Sequence, residues 1–499
     1  MQTAQRLMRA VRDPRALAAI VGLACGAGQA PLQAWPIALI GMTIGAFLWV
    51  QTITPRAAAT VGWWLGFGAF LSSTFWIAEP FLVNPMRHGW MIPFALFGMA
   101  GGLALFWAAA FYLAKRFGAG LLALTVLWSL AEVLRGFIFT GFPWALPAYI
   151  WLDTPVAQLA AYVGPYGLSA LTFGLVALCV RACLSQTWRG VVWPVLALAA
   201  MFGLGLLRLT QPLPGNTDHM LRIVQPNAAQ HLKWDPAFVP MFFDRALELS
   251  DPEGADLIIW PETSIAAPLY AAGPYLDQVA ARTGTVPVVV GVQRVNGYRG
   301  YNSAAVIDAN GAVAQIYDKR HLVPFGEYMP LPKLMSALGL RTFTAQEGFG
   351  FSAGDTEMLF DFGPLGKALP LICYEAIFPR DTRSAIRPDW LLQITNDAWF
   401  GTLTGPQQSL AQARFRAIET GLPMVRAANT GISAITDARG DIQVAIPLGQ
   451  AGGVTAALPH ALPPTLYARI GERGVLGFLS LLALCAWLLP LGRRFRKTN

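Results

Sequence analysis

The chain has 499 residues, 55% of them hydrophobic and only 13% charged, a balance that excludes an ordinary water-soluble protein of this size. Its formal net charge of +8 suggests nucleic acid until it is divided: residues 212–470 hold 19 Lys plus Arg against 23 Asp plus Glu, and the rest of the chain holds 17 against 5. The basicity belongs to the apolar part, so a nucleic-acid partner loses its support.

Before residue 210, apolar runs of membrane-spanning length follow one another, and one more occurs near the C-terminus. Spans are predicted at 16–33, 35–52, 58–78, 90–113, 118–138, 156–180, 190–208 and 474–491, giving a polytopic helical bundle of about eight spans. The first is also compatible with a signal peptide, because Arg6, Arg9, Arg12 and Arg15 precede an apolar stretch ending in GAGQA. Lys and Arg near span ends stay preferentially on the cytoplasmic side. With the N-terminus inside, the inner ends carry Arg6, Arg9, Arg12, Arg15, Arg56, Lys115, Arg116, Arg181, Arg189, Arg493, Arg494, Arg496 and Lys497, against Arg87, Arg135, Arg208 and Arg473 outside. That bias places the region from about 212 to 470 outside the cytoplasm. The expected organisation is a membrane domain at 1–211, a soluble domain at 212–470, and a final helix with a basic tail at 471–499.

Within the soluble domain MLRIVQPN, ADLIIWPE, VPVVVGVQR, ALPLIC, DWLLQITND and PMVRAANTG read as buried strands. Helices are predicted near 237–249, 273–283, 375–386 and 406–421, and hairpins at Asp308–Gly311 and Asp437–Asp441. An α/β sandwich with some antiparallel pairing fits this pattern. Several polar residues fall just past strand ends, where open α/β sheets bind ligands: Glu262, Cys373, Asn396 and Asp397. A single carboxylate or amide in such a place is more often a solvated or capping group.

Four cysteines (Cys25, Cys179, Cys183, Cys485) lie in hydrophobic segments, leaving Cys373 as the lone thiol of the soluble domain. Outside the cytoplasm an unpaired thiol favours a reactive role, although a packing role is also common for cysteine. No Gly-x-Ser-x-Gly elbow, CxxC or HExxH occurs, and GFGFSAG at Gly348 lacks the setting of a dinucleotide fingerprint. Neither a metal nor a cofactor is implied. Without a nearby histidine, the Cys373 thiol needs another base or a positive charge. Glu262 can be that base in a partly apolar pocket. Lys319 can supply charge, although a lysine at a hairpin end is ordinarily a surface group.

IIWPET with Glu262, YDKRHLVPFGEYMPL with Lys319 and LICYEAIFP with Cys373 resemble the catalytic blocks of the nitrilase superfamily. LVPFGEYMP, CYEAIFP, NDAWFG and RAANTGIS, with RGFIFTGFPW in the apolar half, are similar to one branch, the bacterial apolipoprotein N-acyltransferases. The resemblance covers nearly the whole chain. It implies a nitrilase-like αββα sandwich on a membrane bundle, with Glu262 as general base, Lys319 as stabiliser of the tetrahedral intermediate and Cys373 as nucleophile. It also implies pocket roles for Trp234, Glu327, Tyr374, Glu375, Asn396, Trp399, Phe400 and Gly401. One block departs from the family pattern: Gly405 and Pro406 precede QQS rather than a Trp-Gln-His run, which leaves the roles of Gln407 and Ser409 open.

The implied reaction moves a fatty acyl chain from a phospholipid, through a thioester, to the N-terminal amine of a diacylated apolipoprotein. The implied location is the bacterial inner membrane with the catalytic domain facing the periplasm. A membrane-tethered amidase with the same triad is the alternative, and a transporter is disfavoured because Glu79, Glu132 and Arg135 lie near span ends. The apolar segments 333–351 and Phe238–Phe243 suit an acyl chain or membrane surface better than water.

Overall fold

A computed structural model describes residues 13–185, 187–330 and 350–495. The chain divides into two units, Met1–Pro212 with Pro464–Asn499, and Leu213–Pro463. Most of the predicted apolar segment 333–351 lies outside the described residues.

The first unit is helical: α1 (Pro14–Cys25), α2 (Trp35–Gln51), α3 (Pro55–Ser73), α4 (Ile92–Phe117), α5 (Gly120–Phe137), α6 (Ala160–Ser185) and α7 (Trp188–Leu209), closed by the helix Glu472–Phe495. Starts follow local chemistry. Thr54 caps α3, its hydroxyl accepting from Ala57 N, with Pro55 at the first helical position, where its missing N–H costs nothing. Inside α6 the axis breaks at Gly164 and Pro165. Gly164 has φ +67°, and a Cβ there would stand 2.3 Å from the Tyr467 ring, so only glycine fits.

Among the described residues four stretches are long and apolar enough to cross a bilayer: Pro85–Phe117, Gly120–Phe137, Pro155–Ser185 and Trp188–Leu209. Pro55–Ser73 and Phe75–Leu82, bent by 64°, make a fifth if taken as one span. Pro14–Gly28 and Trp35–Gln51 are shorter apolar helices. Only 17% of the apolar window in Trp188–Leu209 is buried. Trp193, Leu196, Leu204 and Leu207 therefore point outward, an arrangement stable in hydrocarbon and costly in water. Two buried charges of this unit face each other: Glu132 accepts from Arg135 and from Trp107 Nε1 (2.6 Å), and Arg135 also donates to the carbonyl of Trp144 (2.8 Å).

The described residues of the second unit form two six-stranded sheets, ordered β12-β1-β2-β3-β4-β5 and β11-β10-β9-β8-β7-β6. The strands are β1 (Asn216–Gln225), β2 (Leu257–Ile259), β3 (Val288–Asn296), β4 (Arg299–Ile307), β5 (Val313–Asp318), β6 (Phe360–Asp361), β7 (Lys367–Ile372), β8 (Trp390–Thr395), β9 (Met424–Ala428), β10 (Ser433–Thr436), β11 (Ile442–Ile446) and β12 (Gly452–Pro459). Side-chain alternation sorts the residues into layers. Leu221, Ile223, Leu257 and Ile259 of one sheet meet Ile372, Leu392, Ile394 and Val425 of the other in a central core. Their neighbours Ile258, Val288 and Val290 face outward and pack on α8 (Val239–Leu249) and α9 (Gly273–Thr283). Leu369, Leu371 and Met424 pack on α10 (Gly405–Thr420). The result is a four-layer αββα sandwich.

The sequence pattern predicts a helix at 375–386, but short 3₁₀ turns stand there, Cys373–Ile377 and Pro379–Thr382. Pro379 interrupts the segment, and the residue before a proline is driven from the helical region. Both predicted hairpins form, β4–β5 and β10–β11.

Candidate active site

The parallel strands β1, β2 and β3 of one sheet and β7, β8 and β9 of the other run their C-terminal ends toward one edge. Glu262 follows β2, Lys319 follows β5, Cys373 follows β7 and Asn396 follows β8. Backbone direction alone therefore brings to one edge residues up to 134 positions apart, as the contact between Glu262 and Asn396 shows.

Glu262 is buried, and both its oxygens are held. Oε1 accepts from Asn302 Nδ2 at 2.6 Å and lies 3.8 Å from Lys319 Nζ, while Oε2 accepts from the Asn396 backbone N–H at 2.8 Å. The turn that carries it is tight: Thr263 has φ +46°. A Cβ on Gly291 of β3 would come within 2.6 Å of Thr263 N, Pro261 O and Glu262 Cα. Glycine at 291 is what lets the turn lie against the strand.

Lys319, 1% exposed, donates to Glu327 Oε1 at 2.9 Å. Asn302 Nδ2 bridges the two carboxylates, reaching Glu327 Oε1 at 3.0 Å, and Glu327 Oε2 accepts from Val323 N. Burial pulls the ammonium down, but the carboxylates of Glu327 and Glu262 outweigh it and hold Lys319 above the ordinary lysine range. It is a fixed positive charge across the physiological range.

Cys373 sits at φ +53°, a left-handed conformation that bulky L-residues rarely adopt. Such strain is maintained only where the surroundings over-determine it. Glu375 supplies much of that restraint. Its Oε2 accepts from Ile372 N (2.7 Å), the return half of a capping box, and its Oε1 accepts from Tyr317 OH (2.8 Å), Arg320 N (2.7 Å) and His321 N (3.1 Å). One buried carboxylate thus ties the cysteine turn to the segment that begins with Lys319. Burial and the neighbouring Glu262 push the Cys373 thiol well up, against opposition from Lys319 and a hydrogen bond with the Thr395 side chain. At rest the sulfur is a neutral thiol.

Tyr374 is buried with its ring edge-on to His321 and Phe378. Burial pushes its phenol up, so it stays neutral. Asn396 links outward: its Nδ2 donates to Gln230 (2.8 Å), and its Oδ1 accepts from Asn429 Nδ2 (2.9 Å). Asn429 clamps Ala228 through both backbone groups, fixing the start of the segment that reaches Trp234. Trp234 itself is half-buried. Trp399, Phe400 and Gly401 lie half-buried on the turn beyond Asn396. Ser409 accepts from Arg426, whose guanidinium also pairs with Asp397 and donates to Gln393 (2.6 Å). Gln393 in turn donates to the Cys373 carbonyl (3.2 Å). Gln407 donates to the Thr402 carbonyl, at the surface.

Two residues of the cluster escape sequence reasoning. Asn302 lies within β4, where an amide reads as an ordinary strand residue. Lys233 reads as a loop cation but is 6% exposed, its ammonium donating to the Glu262 carbonyl (3.0 Å) and Thr263 Oγ1 (3.3 Å).

A family model described as carbon-nitrogen hydrolase matches residues 221–462, and one described as apolipoprotein N-acyltransferase N-terminal domain matches residues 21–179. The apolipoprotein N-acyltransferase of Rhodopseudomonas palustris is 37% identical over 518 residues, covering 95% of each chain. Those of Bradyrhizobium diazoefficiens and Caulobacter vibrioides are 37% and 35% identical, each over 96% of this chain. Such identity runs through the apolar helices as well as the sandwich, and the chain belongs to the apolipoprotein N-acyltransferase family.

Proposed function

We propose that the protein transfers a fatty acyl chain from a phospholipid to the N-terminal α-amine of diacylglyceryl-cysteine apolipoproteins. The observation that carries this reading is the convergence of a strained, neutral Cys373 thiol with a doubly held Glu262 and a permanently charged Lys319. As sulfur attacks the ester carbonyl, Glu262 takes the thiol proton and Lys319 faces the developing oxyanion. Collapse of the intermediate breaks the ester bond, and Glu262 returns the proton to the departing lysophospholipid oxygen. The lipoprotein amine then attacks the thioester; Glu262 accepts its proton and delivers it to sulfur as the amide forms. Glu327 holds the lysine, Glu375 holds the cysteine turn, and Tyr374, Asn396, Trp234, Trp399, Phe400 and Gly401 shape the pocket.

The organisation that suits this chemistry is a membrane domain at 1–211, a catalytic domain at 212–470 and a final span with a basic tail at 471–499. Eight spans carry the catalytic domain on the periplasmic side of the inner membrane, consistent with the cation bias and with substrates anchored in the bilayer. Purified protein incubated with phospholipid vesicles and a diacylglyceryl-cysteine peptide should yield the triacylated peptide by mass spectrometry. Glu262→Gln should lower the rate by about 10²–10⁴-fold, Lys319→Ala by about 10²–10³-fold, and Cys373→Ala should abolish it. Undiminished product from Cys373→Ala would overturn the proposal.

A further inference from the structure

The Glu262 carboxylate is fixed by Asn302 and Asn396, and the chain just after it is tied to Gly291 of β3 through the Ser264 hydroxyl and the Ile265 N–H. Thr263 is in the left-handed region, and the turn is pressed on one side against Gly291, where no side chain fits. The strained Glu262–Thr263 pair itself is held by the Lys233 ammonium, which donates to the carbonyl of Glu262 and to the hydroxyl of Thr263. A cation that is 6% exposed has given up most of its hydration, and burying it is costly unless it is hydrogen-bonded. Lysine immediately precedes Trp234, and its ammonium lies 5.9 Å from that ring. The same segment is anchored upstream where Asn429 clamps Ala228 and Gln230 accepts from Asn396.

We propose that Lys233 is a positioning residue for the general base, its charged ammonium locking the strained Glu262–Thr263 turn and joining the Trp234 segment to it. This inference rests on the assignment of Glu262 as base. A cavity of about 20 Å³ borders Lys233, Thr263 and Asn429, room for about one water, so bulk solvent does not substitute for a missing ammonium.

The titratable groups that face Lys233 are Glu262 and the Cys373 thiol. Burial lowers the ammonium and the Glu262 carboxylate opposes it, leaving it at about 8. Lys319 and Cys373 are both held well above this range. Loss of the Lys233 proton removes the charge assistance from both hydrogen bonds, and charge-assisted bonds are roughly twice as strong as neutral ones. The neutral amine still donates, so the expected effect is partial.

The test is single-turnover acylation of the full-length enzyme by phospholipid vesicles, read as intact mass between pH 6.5 and 9.5. Wild type should lose rate several-fold through pH 8. Lys233→Arg, charged throughout, should lack this alkaline fall, and Lys233→Met should be slowed roughly tenfold to a hundredfold at pH 7, as for a misplaced base, with KM for phospholipid little changed. A wild-type rate that is flat from pH 7 to 9, an alkaline fall that persists in Lys233→Arg, or an unaltered Lys233→Met overturns the inference. If Lys233→Met does not fold, the wild-type and arginine profiles still decide. Failure of wild type to form any adduct on Cys373 would instead sink the parent assignment.

Discussion

Glu375→Gln removes a charge and turns one acceptor into a donor. With its remaining oxygen placed where Oε1 stood, glutamine keeps Tyr317 OH, Arg320 N and His321 N, but its NH₂ then confronts the Ile372 N–H. A buried donor left without an acceptor costs about 1–3 kcal/mol, and each surviving bond weakens by roughly 1 kcal/mol when its acceptor becomes neutral. Burial pushes the Glu375 carboxyl up, so removing the charge gives part of this back, and the net loss is about 2–3 kcal/mol. For a domain of this size that corresponds to a fall in Tm of roughly 5–10 °C. Because the same carboxylate holds Arg320 and His321, Lys319 should shift with them and acylation should slow by at least about tenfold. Differential scanning fluorimetry in detergent and single-turnover acylation read the two effects. Glu375→Ala, which strands every donor, should be worse on both. An unchanged Tm with an unchanged rate, or an alanine variant milder than glutamine, would refute the clamp.

Gly291→Ala should be folded but impaired, because its Cβ would press on backbone atoms of 261–263 that cannot rotate away; acylation kinetics should fall well beyond any change in Tm. The Cys373 thiol titrates higher in the folded than in the unfolded protein. Its stabilising contribution is thus intact below the ordinary thiol value of about 8.5 and lost as pH rises above it. Tm measured from pH 7 to 10 should therefore decline less steeply in Cys373→Ala than in wild type, and parallel declines would contradict this. An alkaline phosphatase reporter fused after residue 215 should be active and one fused after Asn499 inactive; the reverse would remove the eight-span arrangement.

The strand ends were legible because apolar runs stop abruptly at IIWPET, LICYE and LLQITND, and parallel strands of a shared sheet send their C-termini one way. Pairings between distant segments were not. β12 completes the first sheet beside β1 at a separation exceeding 200 residues, and its small residues Gly452, Gly453 and Ala457 carry no strong strand signal. The helix expected at 375–386 followed from local propensity, and Pro379 with the Glu375 clamp overrode it. Lys233 and Asn302 were invisible for a physical reason: a buried cation or amide is defined by its tertiary partners, and neither HLKWDP nor GYNSAAV announces them. In the apolar half, composition marks length along the chain but not a bend such as the 64° break between Pro55–Ser73 and Phe75–Leu82.

The central claim is that Cys373 carries the acyl group between two substrates. Intact mass of the purified enzyme incubated with a defined phospholipid, and no amine, should show one acyl adduct on Cys373 that is absent from Cys373→Ala and scarce in Glu262→Gln. A diacylglyceryl-cysteine peptide should then discharge it far faster than water does. An adduct that hydrolyses as quickly as it forms, with no acceleration by the peptide amine, would contradict the transferase account and leave a tethered amidase-like hydrolase in its place.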